Sequence, residues 1–159
     1  MKITIVAVGK IKENYFKDAI GEYSKRLSRY CSLSILEVMD EKTPDKATAG
    51  EEEAILLKEA SKIEKVLDTN GKLIVLAIEG RNLDSVQFSE MIAEYGIRGT
   101  SHIQFVIGGS LGLHSSIKSK ADESISFSKM TFPHQLMRVI LCEQIYRCYR
   151  IMNHEPYHK

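Results

Sequence analysis

Tryptophan is absent from this chain of 159 residues, and proline and cysteine occur only three times each. Cys31, Cys142 and Cys148 are odd in number, lack C-x-x-C spacing and sit in apolar surroundings. They read as reduced core thiols, and neither a disulfide nor a metal is needed to hold a chain of this size. No apolar run approaches the roughly 18 residues that a membrane span requires. The opening MKITIVAVG reads as a strand rather than a cleavable leader, and the expected location is the cytoplasm. An excess of one charge is also missing. With 22 basic and 21 acidic residues the net charge is +1, so overall charge does not announce a nucleic-acid partner. The phosphate-binding patterns G-x-x-x-x-G-K-[ST] and G-x-G-x-x-G are absent, and no Lys or Arg lies between Arg98 and Lys118 to neutralise a triphosphate.

What is present points to one α/β domain spanning residues 1–159. At 43% hydrophobic content the chain can bury roughly 70% of its unfolded surface in a single core. Short apolar runs, KITIVAV, SLSILEVM, KLIVLAI, HIQFVIGG and ESISFS, are separated mostly by segments of helical period. Phe16 to Tyr30 and Leu56 to Leu67 carry apolar residues at helical spacing, with Asn70-Gly71 as a stop after the second. Ser85 to Tyr95 predicts a third helix closed by Gly96. Pro133 takes the first-turn position of a long final helix. Asp40 to Gly50 is the one evident flexible loop. Charge is uneven along the chain: from Glu37 to Asp68 acids outnumber Lys and Arg ten to five, and from Ser110 to Lys159 bases lead seven to four. One face can therefore be basic in a balanced whole.

Two short motifs suggest chemistry that their context does not support. Gly108 to Gly112, GGSLG, satisfies the nucleophile elbow G-x-S-x-G after a strand, but the 49 residues following Ser110 are too few for the strands such a hydrolase adds. His154 to His158, HEPYH, satisfies the zinc pattern H-E-x-x-H, yet Pro156 breaks the helix that would set two histidines on one face. A glycine-rich strand end without charge suits instead a flat, mostly neutral ligand, such as an adenosine moiety, held by close backbone approach. LAIEGRNL (Leu76 to Leu83), with Gly80 permitting a tight turn, and FSKMTFPH (Phe127 to His134) are loops of the same kind. In an open α/β sheet, loops at the carboxyl ends of neighbouring strands share one crevice.

In this order, KITIVAVGK, LAIEGR, FVIGGSLGL, SFSKMTFPHQLMRVILCEQIYR and the terminal NHEPYHK resemble the RlmH family of SPOUT-class methyltransferases over essentially the whole chain. That resemblance implies a mostly parallel sheet with helices on both faces and a C-terminal trefoil knot. It also implies methylation of N3 of a pseudouridine in a large-subunit ribosomal RNA stem-loop, on the assembled ribosome, with S-adenosylmethionine as cofactor and no metal. Carried over by position, Leu76, Gly108, Phe127, Ser128, Lys129, Met130, Thr131 and Phe132 are the implied cofactor contacts. Glu143, Arg147, Tyr157 and His158 are the implied substrate-side residues. Gly108 and Gly109 would let the chain pass against the cofactor, and Gly112 would turn it back, leaving Ser110 without nucleophilic duty. Glu155 stands between Asn153-His154 and Pro156-Tyr157-His158, where some relatives have NHPYH. Residues alone leave Glu143 and Arg147 open to a second reading, an i, i+4 pair on a helix surface. Finally, Leu136, Met137, Val139, Ile140, Leu141, Ile145, Tyr146, Tyr149, Ile151 and Met152 spread apolar surface around the last helix. A helix apolar on two sides needs two partners, so a symmetric homodimer is expected, and the resemblance points the same way.

Overall fold

The computed structural model describes residues 1–158. Five strands, β1 (Lys2–Val8), β2 (Ser32–Val38), β3 (Lys72–Asn82), β4 (His102–Ile107) and β5 (Glu123–Ser126), alternate with helices α1 (Asn14–Leu27), α2 (Ala49–Glu64), α3 (Ser85–Ile97), α4 (Ser115–Lys120) and α5 (His134–Met152). All the strand pairings are parallel, in the order β2-β1-β4-β3-β5. The central strands β1 and β4 are buried along nearly their whole length, which explains why they read as continuous apolar runs.

Alternation within the strands sends side chains to two cores. Ile3, Ile5, Ile74, Phe105 and Ile125 pack with Leu27 of α1, Phe88 and Ile92 of α3, and Leu141 and Ile145 of α5. Val6, Val8, Val75 and Val106 pack on the opposite face with Ala60 and Ile63 of α2 and with Ile117 of α4. Helices thus cover both faces, three on one and two on the other. No helix among the described residues is long and apolar enough to cross a membrane.

Several boundaries differ from expectation. α3 runs through Gly96 to Ile97, and Gly99, two residues on, takes φ +82°. α2 ends at Glu64, before Asn70-Gly71; a Cβ on Gly71 would lie 2.6 Å from the Gln104 side chain, so its role is close approach to β4. Pro133 is the N-cap residue of α5 and precedes its first turn. β3 extends four residues beyond the expected KLIVLAI run. Leu76 pairs with Ile125, and after an irregularity Arg81 pairs with the same Ile125. Gly80 permits this by contact rather than by turning, since a Cβ there would stand 2.7 Å from the backbone of Ile125.

α5 is fastened by a buried guanidinium. Arg138 is 0% exposed; its Nη2 donates to the carbonyls of Val8 (3.0 Å) and Gly9 (2.6 Å), and its Nη1 to Glu37 Oε1 (2.7 Å). Glu37 also accepts from Ile11 N, and Gln135 Oε1 accepts from Lys12 N, so the whole β1–α1 turn hangs on the start of α5. Arg138→Ala should cost about 3 kcal/mol in urea denaturation, the low end for a broken buried pair because Glu37 keeps some access to water. Arg138→Lys should recover only part of this, since an ammonium cannot span the three acceptors as the fork does.

Candidate active site

Register brings the site together. Leu76 pairs with Ile107 on one side and with Ile125 on the other, so the irregularity of β3 after Leu76 lies level with the ends of β4 and of the edge strand β5, and the segments that follow lie side by side. These loops wall a cleft of about 720 Å³, lined by residues 76–79, 107–113, 125–128 and 130–134 together with Lys118 and Met137. Its surface is formed largely by Leu76, Ile78, Ile107, Leu111, Phe127, Met130, Phe132 and Met137, interleaved with bare backbone at Gly108 and Gly109. Charge on the wall is limited to the Lys118–Glu79 pair (2.7 Å) and to His134. Burial and the cation of Arg138 hold the His134 imidazole below its ordinary pKa, so it is neutral at pH 7. Such a cleft suits the flat, mostly neutral part of a ligand.

Of the residues singled out for this side, Leu76, Gly108, Phe127, Ser128, Met130, Thr131 and Phe132 line the cleft, and Lys129 is exposed outside it. The 126–130 turn is preformed: Ser126 Oγ donates to Ser128 O, Met130 N donates to Ser128 Oγ, and Asn82 Nδ2 donates to Ser126 O. Ser110 is exposed on the rim. The glycines have a reason beyond the one expected. A Cβ on Gly108 would stand 2.3 Å from Gly112 O, so the missing side chain lets the loop close on itself, through the Gly112 N to Gly109 O bond and the φ of +83° at Gly112. Glu79, Lys118 and His134 also line the cleft; only the PH pair at a helix start hinted at the last.

A second cluster forms on α5 and the segment after it. Glu143 and Arg147 are indeed an i, i+4 pair (Nη2 to Oε1 2.5 Å), half-buried rather than splayed into solvent. Tyr157 OH donates to the same Oε1 (3.2 Å), Gln144 Nε2 donates to Oε2 (2.7 Å), and the Tyr157 ring lies under the Arg147 guanidinium at 4.7 Å. His158 is exposed, with Nδ1 3.4 Å from Arg147 Nη1. Burial, reinforced by Tyr23 and Glu143, pushes the Tyr157 phenol above its ordinary value, and the Glu143 bond raises that of Arg147. The four substrate-side candidates therefore meet in one place; Lys159 lies outside the described residues. They do not meet the cleft, whose wall along α5 ends at Met137. Glu143 and Arg147 are about 9 and 15 Å farther along the axis at ~1.5 Å per residue.

Glu155 is the hinge pin of the returning tail. Its carboxylate accepts from the Tyr30 hydroxyl, pairs with Arg150 (2.5 Å) and reaches Arg29 (3.3 Å), while Arg150 Nη2 also holds Pro156 O (3.1 Å). His154, at φ +53°, makes the reversal, and α5 has already ended, so the two histidines of HEPYH share no helix face. The Tyr30 bond, with Arg150 and Arg29, holds Glu155 below the usual carboxylate range. A depressed pKa stabilises the docked tail above the ordinary carboxylate value, and this is lost as pH falls through the lowered one. In NMR titration the tail should therefore stay docked through the ordinary carboxylate range and release only below it. Glu155→Ala should free Tyr157 at neutral pH, seen as faster amide exchange over residues 153–158.

Comparison with known proteins follows this geometry. Residues 1–158 match the family described as predicted SPOUT methyltransferases. Proteins named ribosomal RNA large subunit methyltransferase H from Bifidobacterium adolescentis and Clostridium tetani are 59% and 58% identical, with the whole of each chain covered on both sides. A probable methylase family protein from Haemophilus influenzae shares the fold, with a TM-score of 0.56 over 99% of this chain and 70% of its own at 12% identity. With a parallel α/β sheet, a loop cleft at its carboxyl edge and full-length relatives of one kind, the chain belongs to the SPOUT methyltransferase family.

Proposed function

We propose that the protein transfers a methyl group from S-adenosylmethionine to N3 of a pseudouridine in a large-subunit ribosomal RNA stem-loop, as a cytoplasmic homodimer acting on the assembled ribosome. The observation that carries this reading is the separation of a neutral, backbone-walled cleft from a polar aromatic cluster on the same helix. The cleft fits the donor: its volume suits a nucleoside-sized body, its apolar side chains suit an adenine face, and open backbone groups near Gly108 and in the 126–132 turn suit its polar edges. S-adenosylmethionine when bound supplies a methyl already activated as a sulfonium.

This chain's residues supply the rest. They must hold the nucleotide in line and take the N3 proton as the N–CH3 bond forms and the S–CH3 bond breaks. In model systems alignment contributes up to about 7–11 kcal/mol, and a general base roughly 10²- to 10⁴-fold. Glu143 is already occupied by Arg147, Tyr157 and Gln144, which suits it to hold those groups. His158, exposed and weakly held, is better placed to accept the proton. Arg147 and Tyr157 offer a phosphate partner and a stacking ring, as recognition of an unstacked RNA base requires.

A second copy closes the gap between the two clusters. Leu136, Val139 and Ile140 remain partly exposed, outside both cores, on the stripe of α5 that continues to Glu143 and Arg147. Two-fold pairing over this stripe would bring one protomer's tail to its partner's cleft. The trefoil knot expected of the family would be drawn through the excursion of β3, where Leu76 and Arg81 both meet Ile125.

Calorimetry and methyl transfer to large subunits and whole ribosomes test these points. Gly108→Val should abolish S-adenosylmethionine binding because its Cβ cannot coexist with Gly112 O. Ser110→Ala should stay active, and a dead Ser110→Ala enzyme with intact cofactor binding would overturn the assignment. Deleting residues 157–159 should leave cofactor affinity intact and remove methylation. Mixed dimers of Gly108→Val and tail-deleted chains should recover part of the activity. Verified mixed dimers without activity would refute the shared site.

A further inference from the structure

Behind the glycine-rich wall lies a carboxyl group with no assigned role. Glu59, on the inner face of α2, is 5% exposed. A Cβ on Gly109 would stand 3.3 Å from its Oε2, 3.5 Å from its Oε1 and 3.1 Å from Val8 Cγ1, so the back of the loop rests on this carboxyl. Oε1 accepts from Glu41 N (2.9 Å). Unlike Arg138, Glu59 forms no ion pair among the described residues. The nearest candidate, Lys62, is spent on Glu41 (2.5 Å) and on Met39 O (2.9 Å). Burial raises its pKa, Asp40 and Glu41 push the same way, and Lys62 and the Glu41 amide oppose them. An acid buried without a cation is costly, and an apolar side chain would fill the space as well. What an apolar side chain could not do is accept from Glu41 N while filling the space behind Gly109.

We propose that Glu59 is a positioning residue for the methyl-donor side of the cleft, a strut joining the segment after β2 to Gly109 that sets the depth of the Gly108–Gly112 loop. It rests on the reading of that cleft as the S-adenosylmethionine site, and it acts through the loop without touching the donor. The self-contact of Gly108 on Gly112 carries a displacement at Gly109 to the whole wall. Removing the carboxyl loosens the loop from behind, and adding a methyl at Gly109 presses on the same contact from the front. The two changes are therefore coupled.

The test measures S-adenosylmethionine affinity by calorimetry and the KM and kcat for ribosome methylation in the full-length protein. Glu59→Gln keeps an oxygen for Glu41 N and should leave affinity close to that of the wild type. Glu59→Ala and Gly109→Ala should each weaken donor binding about 10-fold while kcat at saturating donor is retained, and the double variant should be little worse than either, as expected of sites in direct contact. Glu59→Leu, which keeps the volume and folds without the carboxyl, should match Glu59→Ala. A simple loss of packing would lower the melting temperature without this split between KM and kcat. Unchanged donor affinity in Glu59→Leu, or additive losses in the double variant, would overturn the role of Glu59 alone. Wild-type protein that binds no S-adenosylmethionine would overturn the reading of the cleft, and the strut with it.

Discussion

The guanidinium of Arg138 is where the two halves of the site are tied together. α5 begins in the wall of the cleft at His134 and carries Glu143 and Arg147 on its later turns, so its placement decides both. A helix packed only by Leu141, Ile145 and other apolar contacts could slide along its axis at modest cost, because such contacts lack direction. Three directed bonds to Glu37, Val8 O and Gly9 O remove that freedom and fix α5 against the carboxyl ends of β1 and β2. Burial lowers the guanidinium's pKa and Glu37 opposes the shift, so the charge is kept at the cost of desolvation.

Around this fixed helix the cleft is built by backbone fitting against backbone. Gly80 lies on Ile125, Gly108 on Gly112, and Gly109 on Val8 and Glu59. These contacts bring bare backbone into the cleft wall, where the one ion pair among the described residues is Lys118–Glu79. A wall of that kind can hold a nucleoside-like group closely and relies on shape more than on ion pairing.

The tail follows the opposite logic, since its order comes from charge. Glu155 gathers Tyr30, Arg29 and Arg150, and Glu143 gathers Arg147, Tyr157 and Gln144. Glu155 is therefore an anchor that seats Tyr157 and His158 beside Arg147. Of the bases in the last third of the chain, Arg147 and Arg150 are taken up by these two clusters, and Lys118, Lys120 and Arg138 pair with Glu79, Glu64 and Glu37, so most of that local excess is neutralised by pairing.

The sequence by itself determined the alternation of strands and helices in an open α/β sheet and the loops after β4 and β5, because strand-length apolar runs and helical spacing are local properties that burial on both faces enforces; the expected loop from Leu76 to Leu83 is instead mostly β3. It also carried the family resemblance, whose ordered motifs pointed to Glu143, Arg147, Tyr157 and His158. It misjudged Gly96, Gly71 and Gly80, since a glycine needed for close approach looks the same in sequence as one needed for a turn. Glu59, Arg138 and Glu155 were likewise invisible as struts and anchors: only the folded chain brings a Glu41 amide, a Gly9 carbonyl or an Arg29, 18 to 129 residues away, within reach. The separation of the cleft from the tail cluster was also decided by tertiary structure, because it depends on where α5 is clamped and where the chain turns back at His154.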